Sequence, residues 1–96
     1  MMSKDPIDFS KVSDEDKDKQ ILRLGLIAEL DAINLYEQLA AGANDKDLKK
    51  VLLDIADEEK EHVGEFLTLL LEKDPEQVEE LEEGKEEVEE VRKEKD

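Results

Sequence analysis

The 96-residue sequence predicts an all-α protein: an antiparallel two-helix hairpin followed by a short acidic C-terminal helix or tail, with two copies joining into a four-helix bundle. Three observations predict it. No stretch alternates polar and apolar residues as a half-buried strand does. Two long runs carry apolar residues at three- and four-residue intervals, the period of an amphipathic helix. The breaks between helical runs are only a few residues long, so consecutive helices must fold back on one another.

Residues 1–12 read as an irregular lead-in containing Pro6. Ser13, followed three residues later by Asp16, reads as an N-cap with an acidic first turn. The first helical pattern runs to about Ala41, where Gly42 supplies a stop. Asn44 is placed to cap a second helix that continues to Lys73. Asp74-Pro75 ends it, because the residue before proline is driven out of the α region. The same pair can open a third segment, with Pro75 at the first helical position and Gln77 completing a capping box. Each of the first two helices is about 28 residues, roughly 42 Å at 1.5 Å per residue. The chain thus divides into a lead-in (1–12), a helical hairpin (13–74) and an acidic helix or linker (75–96).

That last segment differs from the rest. From residue 76 onward it holds eleven acidic and four basic residues, with only Val78, Leu81, Val88 and Val91 apolar. Glu79 with Glu83, Glu82 with Glu86 and Glu83 with Glu87 are like charges one turn apart, and Gly84 weakens the helix further. A marginal helix that leans on a partner, or a solvated linker, is expected.

The formal net charge of −16 argues against nucleic acid, whose phosphates call for a basic surface, and against an anionic membrane. It favours cationic partners. With no cysteine, disulfides and thiolate metal sites are excluded. The opening MMSKDPIDFS lacks the apolar core of a signal peptide, and no run approaches the ~20 apolar residues of a membrane span, so a cytoplasmic protein is expected.

The informative feature is what interrupts the apolar seams. The first helix presents Leu22, Leu26, Glu29, Ile33, Tyr36 and Ala40 on one line; the second presents Leu52, Ile55, Glu59, His62, Phe66 and Leu69. Each line holds a carboxylate at mid-length, and an antiparallel hairpin brings the two mid-points level. Gly25 and Ala32, about one turn on either side of Glu29, leave room there for a neighbour. Buried carboxylates without partners cost several kcal/mol, yet Arg23 and Lys60 sit off the seam lines. A metal cation resolves the conflict. Glu59 and His62 form Glu-x-x-His, an i,i+3 pair aimed at one point, and mixed oxygen and imidazole donors suit iron, manganese or zinc better than calcium or magnesium. Two glutamates and one histidine make half of a di-metal carboxylate set, and one hairpin cannot bury its own seams; a two-fold dimer supplies both shortages. Two other readings stay open: a protein that holds Zn²⁺ or Mn²⁺ without turnover, and a metal-free helical dimerisation module whose polar residues fix register.

AELDAINLYEQLA (residues 28–40), followed about thirty residues later by DEEKEH (57–62), resembles the encapsulated ferritins, half-length ferritin-like proteins associated with encapsulin shells. The resemblance covers residues 14–75. It implies a ferritin-like four-helix bundle built from two chains, a ferroxidase that oxidises Fe²⁺ at a di-iron site between them, and assembly of homodimers into a ring-shaped decamer. It carries over Glu29, Glu59 and His62 as iron ligands, Tyr36 as an aromatic beside the site, and Asp31 as an acidic residue on the iron's approach. Ala28 and Leu35 depart from the family pattern, where an acidic residue and a tryptophan can stand. The resemblance also implies iron storage within an encapsulin nanocompartment in the cytoplasm. The ending VRKEKD lacks the short Gly/Leu-containing docking peptide of free-standing members. The expectation is therefore a domain joined to the shell protein at its C-terminus, with the acidic tail in the linker.

Overall fold

The computed structural model describes residues 8–95; the lead-in over 1–7, and Asp96, lie outside the described residues. Three helices follow in order: α1 (Asp14–Gly42), α2 (Lys46–Lys73) and α3 (Pro75–Lys95). Among the described residues there is no strand.

Ser13 stands at the N-cap of α1 in extended conformation, φ −66° and ψ 155°. Its carbonyl accepts from the amides of Asp16 and Lys17, both at 3.1 Å. Its hydroxyl donates instead to the Asp16 carboxylate (3.0 Å), so the side chain makes no cap bond. Asp14, Glu15 and Asp16 set negative charge against the positive end of the helix dipole. Gly42 is the last helical residue rather than a left-handed stop, and no described residue has positive φ. The chain leaves through Ala43, extended at φ −77° and ψ 135°.

The second cap corrects an expectation. Asp45, not Asn44, caps α2: its carboxylate accepts from the Leu48 amide at 2.8 Å. Both side chains are competent caps, but a charged acceptor gains more from the dipole than an amide does.

α1 and α2 pack as an antiparallel hairpin with a thin interior, in which Leu22, Ala40, Ala56 and Leu70 are the buried apolar residues. The Phe66 ring of α2 lies against the backbone of α1 at Gly25. Leu69, expected on the seam, is 49% exposed, and its neighbour Leu70 takes the interior place at 3%. A seam drawn at alternating three and four residues averages 3.5, so on a straight 3.6-residue helix it drifts by about 20° per heptad.

At the end of α2, Asp74 adopts φ −131° and ψ 79°, and Pro75 begins α3 at the first helical position. The Gln77 amide donates to the Asp74 carbonyl (3.0 Å) and to its Oδ1 (3.2 Å). Arg23 of α1 reaches across to Asp74 Oδ2 at 3.0 Å, and Asp74 is 9% exposed. The ion pair thus ties the start of α3 to the hairpin. α3 is a regular helix, with every residue from Val78 to Glu94 exposed. It turns away from the hairpin after the elbow, and the molecule measures 48 × 46 × 23 Å. No helix is long and apolar enough to cross a membrane.

Candidate metal centre

Glu29 lies midway along α1, while Glu59 and His62 lie midway along α2, one turn apart. Helical spacing stacks the latter two on one face, and the antiparallel register sets Glu29 opposite them. His62 Nδ1 lies 3.3 Å from Glu29 Oε2 and 3.4 Å from Glu59 Oε2. One donor atom from each of the three residues can be chosen so that all lie within 4.8 Å of one another. The carboxylate side chains are largely enclosed, 19% exposed for Glu29 and 18% for Glu59, whereas His62 is 43% exposed and opens the cluster to one face.

The nearby cations are committed elsewhere. Lys60 reaches Glu37 and Asp57, each at 3.7 Å, and Arg23 holds Asp74. Among the described residues neither Lys nor Arg pairs with Glu29 or Glu59, and His62 is the one partner of each. An imidazole Nδ1 carries at most one hydrogen, so it can satisfy at most one of the two carboxylates. The second carboxylate is left facing the first with no donor between them. A divalent transition cation would satisfy all three groups together, since the donor set offers hard oxygens from the carboxylates and a borderline nitrogen from the ring.

Of the residues singled out in the sequence, the fold therefore brings together Glu29, Glu59 and His62. Tyr36 is half-buried on α1, two turns beyond Glu29. Asp31 falls about 200° around the helix from Glu29, is half-buried, and is not a member of the three-residue cluster. Sequence reasoning missed the Phe66–Gly25 contact. Its signal was present, since Gly25 precedes Glu29 by four residues and Phe66 follows His62 by four, setting a large and a null side chain at one level.

An antiparallel hairpin with a carboxylate on one helix and Glu-x-x-His on the other falls in the all-helical, ferritin-like class. The chain belongs to the EncFtn-like family, whose model matches residues 6–92. It is 64% identical over 72 residues to the ferritin-like–encapsulin shell fusion protein of Pyrococcus furiosus, covering 75% of this chain and 21% of the relative. It is 45% identical over 56 residues to the encapsulin nanocompartment cargo protein EncC of Myxococcus xanthus, covering 58% of this chain and 43% of that protein. The chain thus spans less than half the length of either curated relative. Among solved structures, the crystal structure of the encapsulated ferritin domain from Pyrococcus furiosus superposes with a TM-score of 0.81, at 54% identity and 95% coverage of both chains.

Proposed function

We propose that the chain is a ferroxidase: two copies join face to face and take up Fe²⁺, as substrate, between the Glu29, Glu59 and His62 of each. The observation that carries this reading is the pair of enclosed carboxylates flanking one imidazole nitrogen, at 3.3 and 3.4 Å, with no Lys or Arg among the described residues paired to either. The open side of the cluster supports the dimer. Val51, His62 and Leu69 share a stripe along α2, and Ile21 and Leu39, five turns apart, share one along α1. The four apolar members are all about half exposed. A second hairpin laid on this face covers them and doubles the ligand set.

In this arrangement the carboxylates hold the iron and offset its charge, while each His62 fixes one metal through a neutral nitrogen. Two ferrous ions held close together supply electrons in a pair, with dioxygen as the acceptor. The ring nitrogen and carboxylate oxygens keep their positions because two long helices, not loops, carry them. The net charge of −16 concentrates cations around the chain, an effect that salt weakens.

A plate of helices encloses no space of its own for ferric product, so the reading places storage in an encapsulin compartment. The relatives' names support that setting. A ring of five dimers, with α3 leading toward a shell protein at its C-terminal side, completes the proposal.

The test is the initial rate of Fe²⁺ oxidation in air at neutral pH, for wild type beside His62→Ala. A rate well above buffer that collapses in the variant is expected. A wild-type rate no faster than buffer removes the enzyme and leaves the metal-holding and metal-free dimerisation readings; equal rates for both proteins assign the activity to the acidic surface instead of the cluster.

A further inference from the structure

We infer that Phe66, seated on Gly25, is a positioning residue: a spacer that sets the distance between α1 and α2 at the level where Glu29 meets His62. This rests on the metal reading of that cluster and adds to it. The contact lies one turn from the cluster on both helices, four residues before Glu29 and four after His62.

The approach leaves no room for a side chain at position 25. A Cβ placed on Gly25 would stand 2.9 Å from Phe66 Cε1 and 3.1 Å from both Cδ1 and Cζ. Carbon atoms in ordinary contact sit roughly 3.5–4.0 Å apart. Any side chain at position 25 therefore either moves the aromatic ring or separates the helices by a few tenths of an ångström. The other three glycines have nothing within 4 Å of such an atom, so the fit is particular to this one position.

The neighbouring cluster is sensitive to that distance. His62 Nδ1 stands 3.3 Å from Glu29 Oε2, already at the long end of hydrogen-bond range. A metal ion held between the helices tolerates errors of only about 0.2 Å in each bond. A flat ring resting on bare backbone is a stiff gauge for such a gap, whereas aliphatic side chains at the same place can change rotamer and yield. Gly25 is thus retained for closeness of approach and not for backbone freedom, since no described residue has positive φ.

The experiment is a titration of the metal-free full-length protein with Co²⁺ alone, followed by visible absorption, which reports coordination geometry without turnover. Wild type, Gly25→Ala, Phe66→Leu, the double variant Gly25→Ala/Phe66→Leu and His62→Ala are compared, with far-UV circular dichroism checking each fold. Gly25→Ala is expected to bind Co²⁺ about tenfold more weakly with an altered band, in the range seen when a ligand's support is removed. Phe66→Leu is expected to alter the band too, and the double variant, in which the added methyl replaces part of the lost ring, to recover to within about threefold of wild type. If Gly25→Ala does not fold, the Phe66→Leu spectrum decides. Wild-type affinity and spectrum in either folded single variant, or a double variant no better than Gly25→Ala, overturn the spacer while leaving the metal site standing. A wild-type chain with no Co²⁺ band, or one that persists in His62→Ala, overturns the metal reading and the spacer with it.

Discussion

Removing Asp74 is expected to loosen α3 from the hairpin at a cost that divides into two parts. The Asp74 carboxylate accepts from the Gln77 amide, and losing an N-cap acceptor typically costs ~1 kcal/mol. It also binds Arg23 at 3.0 Å, with side-chain exposures of 48% for Arg23 and 13% for Asp74. A fully buried charged hydrogen bond is worth ~1.5–3 kcal/mol, and solvent at the half-exposed guanidinium reduces this one to ~1 kcal/mol. Asp74→Ala should therefore cost ~2 kcal/mol, Arg23→Ala ~1 kcal/mol, and Asp74→Asn ~1 kcal/mol, since the amide oxygen can still cap. Because the pair is broken by either change, Arg23→Ala/Asp74→Ala should be no worse than Asp74→Ala alone, a coupling of ~1 kcal/mol. Urea unfolding followed by far-UV circular dichroism measures all four variants, at one fixed protein concentration because association shifts the midpoint. Costs that add to within ~0.3 kcal/mol would show that Arg23 and Asp74 act independently, and the account of the elbow would fail.

Leu70→Ala should cost ~3 kcal/mol from the buried side, whereas Leu69→Ala should cost under ~1 kcal/mol in the isolated hairpin; equal losses in an associated sample would show that a second chain covers Leu69. Asp45→Ala should destabilise by ~1 kcal/mol and Asn44→Ala by almost nothing, measured by thermal unfolding, and the reverse ranking would contradict the observed cap. Raising salt should slow amide exchange across α3, because screening weakens repulsion among its exposed glutamates, while leaving the centre of the hairpin unchanged. Faster exchange in salt would mean that attractive pairs hold α3 together.

The hairpin was legible because its boundaries are written in strong local signals: an acidic first turn after Ser13, and a proline directly after Asp74. The three-residue cluster was legible for the opposite reason, since Glu29, Glu59 and His62 break an otherwise apolar pattern. The choice between Asn44 and Asp45 was not, because adjacent side chains were both able to cap and only the helix start distinguishes them. Leu69 shares a stripe with His62 and stays half exposed in the single chain, while Leu70 one position on turns into the hairpin interior. The Arg23–Asp74 pair joins residues 51 apart, and nothing local marks either as the other's partner. α3 is helical despite the counted repulsions because it is built of good helix formers, Glu, Lys, Arg and Leu.

The thinness of the interior bears on how much of this protein a cell can keep. Four buried apolar side chains among the described residues are a small reserve for a chain of this size. If the exposed face is closed by a second copy, as proposed above, each tenfold rise in protein concentration adds about 1.4 kcal/mol per mole of dimer, about 0.7 kcal/mol per chain, by mass action. Chains without a neighbour then spend more of their time open to proteases, where a change of 1–2 kcal/mol alters abundance several-fold. With that face closed by a second copy, solitary chains would be the ones most open to removal.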